Sequence, residues 1–156
     1  MRLNTTRLET LKQLVILDTQ PEKAYDDLTR TLAQGFDVPI TMVNLLDEKR
    51  DWFKSCVGLP MGESPTATSF CEVFFNTDDD VLVVEDTTRD PRFARHALVI
   101  GAPFIRFYAA ARLVVDGQTV GTLCAYDIKT KKVDPERIAE SRAMALAAMD
   151  LLHQRP

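Results

Sequence analysis

The side chains best suited to chemistry in this 156-residue sequence are three cysteines, at positions 56, 71 and 124, and two histidines, at 96 and 153. An odd number of cysteines with wide, unequal gaps and no C-x-x-C pair is not a disulfide framework. Neither histidine is near a cysteine in sequence, so the ligand spacing of a structural zinc site is absent and no metal is expected. Buried free thiols usually behave as small hydrophobes, and Cys71 and Cys124 are read that way; reaction with a ligand or with one another is the sharper alternative. Asp78-Asp79-Asp80 lacks the spaced ligands and glycine of a calcium loop and reads as a solvated turn. With no P-loop and no Ser/His/Asp set that can be placed, no catalytic residue is assigned and a regulatory role is favoured over an enzymatic one.

A second chemistry comes from Arg106 and Tyr108, which alternate with Ile105 and Phe107 in a strand-like run. On a pleated strand this gives one apolar face and one face carrying a guanidinium and a phenol. A guanidinium in a partly dry pocket needs a counter-charge, from Asp86, Asp90 or Asp127 or from a bound carboxylate or phosphate. Trp52 and Phe53 are adjacent, so one ring points inward and the other outward. Phe70 and Phe74 lie one helical turn apart and read as a lid packed on a sheet.

These residues need a scaffold, and the composition supplies one: 46% of residues are apolar, enough for one ordinary core, and a single domain over 1–156 with its core at about 8–152 is expected. The 19 Lys and Arg are scattered among 23 Asp and Glu, giving a net charge of -4 and no basic face for nucleic acid. There is no apolar N-terminal run and no stretch near the roughly 18 apolar residues that span a bilayer, so a cytoplasmic protein with no membrane partner is expected.

The periodicity predicts an opening helix through Leu8, Leu11, Leu14 and Val15 with a Thr or Asn cap. Thr19-Gln20-Pro21-Glu22 reads as a capping box opening a second helix on Tyr25, Leu28, Leu32 and Phe36, stopped by Asp37-Val38-Pro39. Strands follow at 40–46 and 52–57, then a long irregular stretch at 58–69 and one or two helical turns at 70–75. A strand at 81–86 leads to a short helix capped by Asp90 with Pro91 at its first position, ending before Gly101. Strands at 104–115 and 118–127 are joined by Asp116-Gly117, a two-residue type I′ hairpin signal. Asp134-Pro135-Glu136 caps a closing helix that carries Ile138, Ala145, Met149 and Leu152 on one face. The fold class is α+β: an antiparallel sheet with terminal helices on one face, and on the other the irregular middle covering a pocket.

Ordered motifs along nearly the whole chain resemble GAF domains. They include Ile16-Leu17-Asp18-Thr19 with Pro21-Glu22, Asp47-Glu48, Trp52-Phe53-Lys54-Ser55 and Gly58-Leu59. Ser69-Phe70-Cys71, Val84-Glu85-Asp86-Thr87 with Asp90-Pro91-Arg92-Phe93, Ile105-Arg106-Phe107-Tyr108, and Gly121-Thr122-Leu123-Cys124 with Asp127 resemble the subgroup attached to bacterial histidine kinases and diguanylate cyclases. The resemblance implies a central antiparallel sheet of five to six strands, terminal helices that often form a dimer surface, and a ligand cavity on the opposite face. It places the chain among two-component and cyclic di-GMP signalling proteins. Similar domains bind cyclic nucleotides, haem, bilins, or amino or keto acids, so the ligand is left unnamed and no cofactor is identified. Glu72-Val73 stands where the subgroup has Ala-His, and Ala110 and Arg112 stand where it has Gly and Pro. A bilin is not expected, because its attachment in related domains favours a Cys-His pair.

The leading reading is therefore a sensor domain. A small molecule, anionic if Arg106 faces the cavity, would contact Trp52, Phe53, Ser69, Phe70, Cys71, Asp86, Phe93, Arg106, Tyr108, Thr122 and Cys124. Its binding would order 58–75 and change how the terminal helices pair, the signal leaving through a homodimer interface or a separate output protein. The alternatives are a ligand-free dimerisation module built on the two terminal helices, and a GAF-type free methionine sulfoxide reductase. The reductase needs two neighbouring thiols, and their spacing is not recognisable here.

Overall fold

A computed structural model describes residues 1–155. The elements in chain order are α1 (Thr5–Gln13), α2 (Lys23–Phe36), β1 (Ile40–Leu46), β2 (Arg50–Val57), β3 (Glu63–Pro65), β4 (Val81–Val84), α3 (Ala97–Ile100), β5 (Phe107–Val115), β6 (Gln118–Asp127) and α4 (Pro135–His153). A 3-10 segment, Phe70–Phe75, lies between β3 and β4. The strands form one six-stranded sheet in the order β3-β2-β1-β6-β5-β4, antiparallel throughout.

Because successive strand residues face opposite ways, the sheet has two apolar faces. Val43, Leu45, Phe107, Ala109, Ala111, Leu123 and Ala125 pack with Leu11, Leu32, Phe36, Ala145 and Leu152 of the helices. Met42, Leu46, Tyr108, Ala110, Cys124 and Tyr126 pack with Phe70, Cys71, Phe74 and Phe93 of the irregular middle. The apolar stripes of α1 and α4 are thus used on the chain's own sheet, while Leu146 of α4 is left 61% exposed. No described helix is long and apolar enough to cross a membrane.

Asn4 caps α1 by accepting from the Arg7 amide at 3.0 Å, and Asp134 caps α4 by accepting from the Arg137 amide at 2.9 Å. Asp116 and Gly117, at φ 50° and 75°, make the β5–β6 turn. At Gly121 a Cβ would strike the Asn44 carbonyl oxygen, so only glycine lets β6 approach β1 there, and this close approach seats Thr122.

Four local expectations are corrected. Val15 has φ 51° and is exposed, outside the helical face assigned to it. Glu22 precedes α2 without capping it; its carboxylate goes instead to Lys54, 2.6 Å away and fully buried, and to Arg155 at 2.9 Å. Satisfying a buried ammonium outweighs satisfying one helix amide. Asp90 opens a turn in which it accepts from the Arg92 amide, and the helix starts only at Ala97, capped by His96. The strand drawn from 104 begins at Phe107, because Phe104 sits at φ 60°, outside the extended region. Within the irregular stretch, β3 adds a three-residue edge strand with no marked alternation to announce it.

Candidate functional site

The chemistry gathers on the sheet face away from the terminal helices. Phe70 stacks on Phe93 with ring centres 5.2 Å apart, and meets Tyr108 at 5.2 Å, Tyr126 at 5.5 Å and His96 at 4.1 Å. All but His96 are buried, so aromatic side chains fill the space expected to be a half-open pocket. The 3-10 segment that carries Phe70 is a closed lid.

Under the lid lies a knot of polar groups. Cys71 Sγ is 3.0 Å from Thr122 Oγ1 and 3.1 Å from Tyr108 Oη, with Tyr126 Oη at 4.0 Å. Thr122 Oγ1 also reaches Cys124 Sγ at 3.7 Å, so one hydroxyl joins the two thiols. The Asn44 amide donates to Cys71 Sγ at 3.7 Å and to Asp51 Oδ2 at 3.1 Å, and Ser69 Oγ donates to the same Asp51 oxygen. Among the described residues, Asn44 Oδ1 is buried with no hydrogen-bond partner.

Burial pushes the Tyr108 and Tyr126 phenols and the Cys124 thiol well above their ordinary values. Burial pushes Cys71 the same way, but hydrogen bonds from Cys124, Thr122 and Tyr108 bring it below its ordinary value. Of the two thiols in the knot, Cys71 is therefore the more acidic.

The floor is tied to the N-terminus. Arg2 Nη2 sits 2.9 Å from Asp51 Oδ1, Nε is 3.1 Å from Glu72 Oε2 on the lid, and Nη1 donates to the Asp47 carbonyl at 2.9 Å. Arg7 donates to the Arg2 carbonyl from Nε at 3.0 Å and to the Leu46 carbonyl from Nη1 at 2.6 Å. Both guanidiniums lie over the Phe75 ring, at 5.6 and 5.0 Å. Burial lowers Arg7 to about 10, still protonated at neutral pH. Glu72 thus ties the lid to the N-terminal segment.

Of the residues expected to line the site, Ser69, Phe70, Cys71, Phe93, Tyr108, Thr122 and Cys124 come together here, and Phe53 joins the same face farther along β2. Trp52 packs on the helix side. Asp86 caps the turn after β4 by accepting from the Thr88 amide at 3.0 Å. Arg106 does not share a face with Tyr108: Ile105 packs with Tyr108 instead, because the pleat begins only at Phe107. Its guanidinium donates to the Val99 carbonyl at 2.8 Å, and among the described residues it has no carboxylate within ion-pair distance. Carbonyl dipoles take the place of the expected counter-charge.

Arg2, Asn44, Asp51 and Tyr126 were not singled out by the sequence, and His96 was weighed there only as a metal ligand. Asn44 and Asp51 carry a signal, being polar positions inside apolar strands, and Tyr126 is two residues from Cys124 and so on its face. No group of His, Cys, Asp or Glu among the described residues is arranged to hold a metal.

Three surface clefts lie elsewhere: about 490 Å3 beside β4, about 420 Å3 between α2 and β2, and about 340 Å3 between β4 and α4.

Comparison with known proteins places this geometry. A family model described as GAF domain matches residues 20–149. The chain is 31% identical over 150 residues to a cyclic di-GMP phosphodiesterase of Pseudomonas aeruginosa, covering 95% of this chain and 25% of that protein. It therefore spans about a quarter of the length of this relative. Among solved structures, the GAF domain from an Acinetobacter phosphoenolpyruvate-protein phosphotransferase is similar with a TM-score of 0.68 and 14% identity, covering 97% of this chain and 95% of that one. The type II free methionine-R-sulfoxide reductase from Thermoplasma acidophilum is similar with a TM-score of 0.65 and 15% identity, covering 93% and 96%. At these identities the two structures show a common fold alone.

Proposed function

The chain belongs to the GAF domain family, a sensor and regulatory fold of signalling proteins that include cyclic di-GMP proteins, and from that premise we propose that it is a ligand-gated regulatory domain. In this reading a small molecule is admitted when the Phe70–Phe75 lid swings off the sheet. The observation that carries it is the polar knot under the lid. A buried polar group left without a partner costs about 1–3 kcal/mol, and here hydroxyls, thiols, an amide and a carboxylate are buried beside aliphatic side chains with the Asn44 acceptor unsatisfied. Asn44 Oδ1 is an acceptor awaiting a donor, and Tyr108, Tyr126, Thr122 and Ser69 offer hydroxyls to a polar ligand.

The lid is held by one short 3-10 segment and by side chains, without strand pairing, so its release breaks no sheet hydrogen bond. Its movement is passed to the N-terminal segment through Glu72 and Arg2. The ligand must favour the open or rearranged lid over the closed one by the free energy of that change.

Thermal denaturation tests this against a panel of 3′,5′-cyclic nucleotides, cyclic di-GMP, amino acids and 2-keto acids. A member present at 100 times its Kd contributes about 2.7 kcal/mol, roughly 5–10 °C for a domain of this size. No shift from any member at millimolar concentration counts against the reading.

One observation favours a second reading. Cys71 and Cys124 share Thr122 Oγ1, which gives the two neighbouring thiols that a sulfoxide reductase needs. Two thiols would become a disulfide as a sulfoxide becomes a sulfide and water. Dithiothreitol-dependent loss of free methionine-R-sulfoxide that disappears in Cys71→Ser would establish it, and its absence in the native chain would remove it.

A further inference from the structure

β4 is the last strand of the sheet, and the antiparallel register fixes which of its backbone groups are used. The Arg112 amide donates to the Asp80 carbonyl at 2.8 Å, so Asp80, Leu82 and Val84 face β5 with their hydrogen-bonding groups. The N–H and C=O of Val81 and Val83 therefore point away from the sheet. Beyond them the edge is already covered: the Glu85 carbonyl accepts from the Lys131 amide at 3.2 Å, and its carboxylate accepts from the Val133 amide at 2.7 Å.

The open part has a shaped surround. Val81 and Val83 turn half-buried side chains toward the helix face. The cleft of about 490 Å3 meets Val83, Val133 and Ile138, and the cleft of about 340 Å3 meets Val81, Leu146 and Met149. Together they make a furrow beside the strand edge that mixes these apolar side chains with Glu85, Asp86, Arg89 and Asp90 in the first cleft and Asp80, Arg112 and Arg142 in the second. Val81–Val84 is a short edge, four residues long, but it has no lysine, no proline and no bulge to block pairing.

Charge decides what fits. Asp78, Asp79 and Asp80 precede the strand, and Glu85 and Asp86 follow it. Asp80 is 76% exposed with Arg112 4.0 Å away, and Arg89, 3.6 Å from Asp86, and Arg142 are the cations at the furrow. A second copy of the strand is a poor occupant. The antiparallel register that uses both valines, centred on Leu82, would set Asp79 against Glu85 and Asp78 against Asp86 of the copy, carboxylate opposite carboxylate.

We propose that the free edge of β4 docks an extended segment of a partner protein, apolar at alternate positions and carrying Lys or Arg at both ends, which adds as a seventh strand. Its backbone pairs with Val81 and Val83, its apolar side chains enter the furrow, and its end charges meet the two acidic flanks. This surface is at the sheet edge and stands independently of whether the lid opens.

The test is titration of the full chain with a labelled peptide, Lys-Lys-Val-Thr-Val-Thr-Lys-Lys, followed by fluorescence anisotropy and by amide shifts of Val81 and Val83. Val83→Pro deletes an outward N–H without touching the ladder to β5, so the fold should survive, as its melting curve would verify. Saturable binding with shifts at both amides is expected, weakened about tenfold by Val83→Pro and again by Asp78→Lys with Asp79→Lys, the loss of one good contact being about 1.4 kcal/mol. Absence of saturable binding would overturn the proposal, as would equal binding to Val83→Pro or binding without amide shifts. A native dimer that Val83→Pro converts to monomer would also overturn it, assigning the edge to a second copy.

Discussion

The Arg2 guanidinium and the Asp51 carboxylate stand 2.9 Å apart with side chains 5% and 3% exposed, joining the first residues of the chain to the floor of the lid-side cluster. The same guanidinium holds Glu72 on the lid, so one side chain connects the N-terminal segment, the sheet and the lid. Arg7 of α1 in turn grips the Arg2 carbonyl, so α1 belongs to the same set of contacts.

Removing one partner of a buried pair leaves the other charge stranded. Arg2→Ala should therefore lower the stability read by urea denaturation by about 3–5 kcal/mol. Asp51→Asn in the same chain should recover part of that loss, since no charge is then left unpaired. Equal stability of Arg2→Ala and the native chain would mean that the clamp is not formed.

Glu72 is different, being 47% exposed at the side chain. Glu72→Ala should change global stability by no more than about 1 kcal/mol. It should nevertheless speed amide exchange across Phe70–Phe75, because it cuts the lid's own tie. Exchange unchanged in the lid would show that Phe75 and the aromatic contacts hold it without Glu72.

Thiol labelling reads the lid directly. Cys56 is half-buried on β2, whereas Cys71 and Cys124 are fully buried. An aromatic disulfide reagent should modify Cys56 first, and the other two only as the lid opens. Phe70→Ala removes a ring that touches four others, at a cost of about 3–5 kcal/mol, and should bring Cys71 labelling close to the rate of Cys56. Fast labelling of Cys71 in the native chain would contradict a closed lid.

His96 gives the domain a pH response. Burial lowers its pKa from 6.5, and its Nδ1 accepts from the Leu98 amide at 3.0 Å, which requires the unprotonated nitrogen. Below 6.5 the unfolded chain takes up a proton that the folded chain refuses, so this contribution is complete above that pH and is lost as pH falls toward the depressed folded value. Urea midpoints measured downward from pH 7.5 should fall more in the native chain than in His96→Asn, whose side chain still caps α3. Parallel pH curves would remove His96 from the account.

The fold was legible where local chemistry decides it. The Asp116-Gly117 turn and the Asn4 and Asp134 caps are statements about neighbours in sequence. So was half of the site, because Ser69, Phe70 and Cys71 are adjacent and Thr122 and Cys124 are two apart on one face. What stayed hidden depends on long-range contact. Arg2 meets Asp51 across most of two helices and a hairpin, and nothing near Arg2 marks it as a buried cation. Arg106 was misplaced by a single backbone angle: with Phe104 at φ 60° the strand starts late and the guanidinium turns to carbonyls. The openness of the pocket was also beyond reach, since it depends on whether Phe70 and Phe93 stack into it.

In the function proposed for this domain the lid opens as a unit while the sheet stays folded. Amide hydrogen exchange over Phe70–Phe75, compared with Phe107–Val115 and Gln118–Asp127 under native conditions, measures this most directly. The lid amides should exchange through an opening of lower free energy than those of the two central strands, and Arg2→Ala should widen the gap. Lid amides that exchange only with global unfolding, at the same free energy as those strands, would contradict it and leave a ligand no way in.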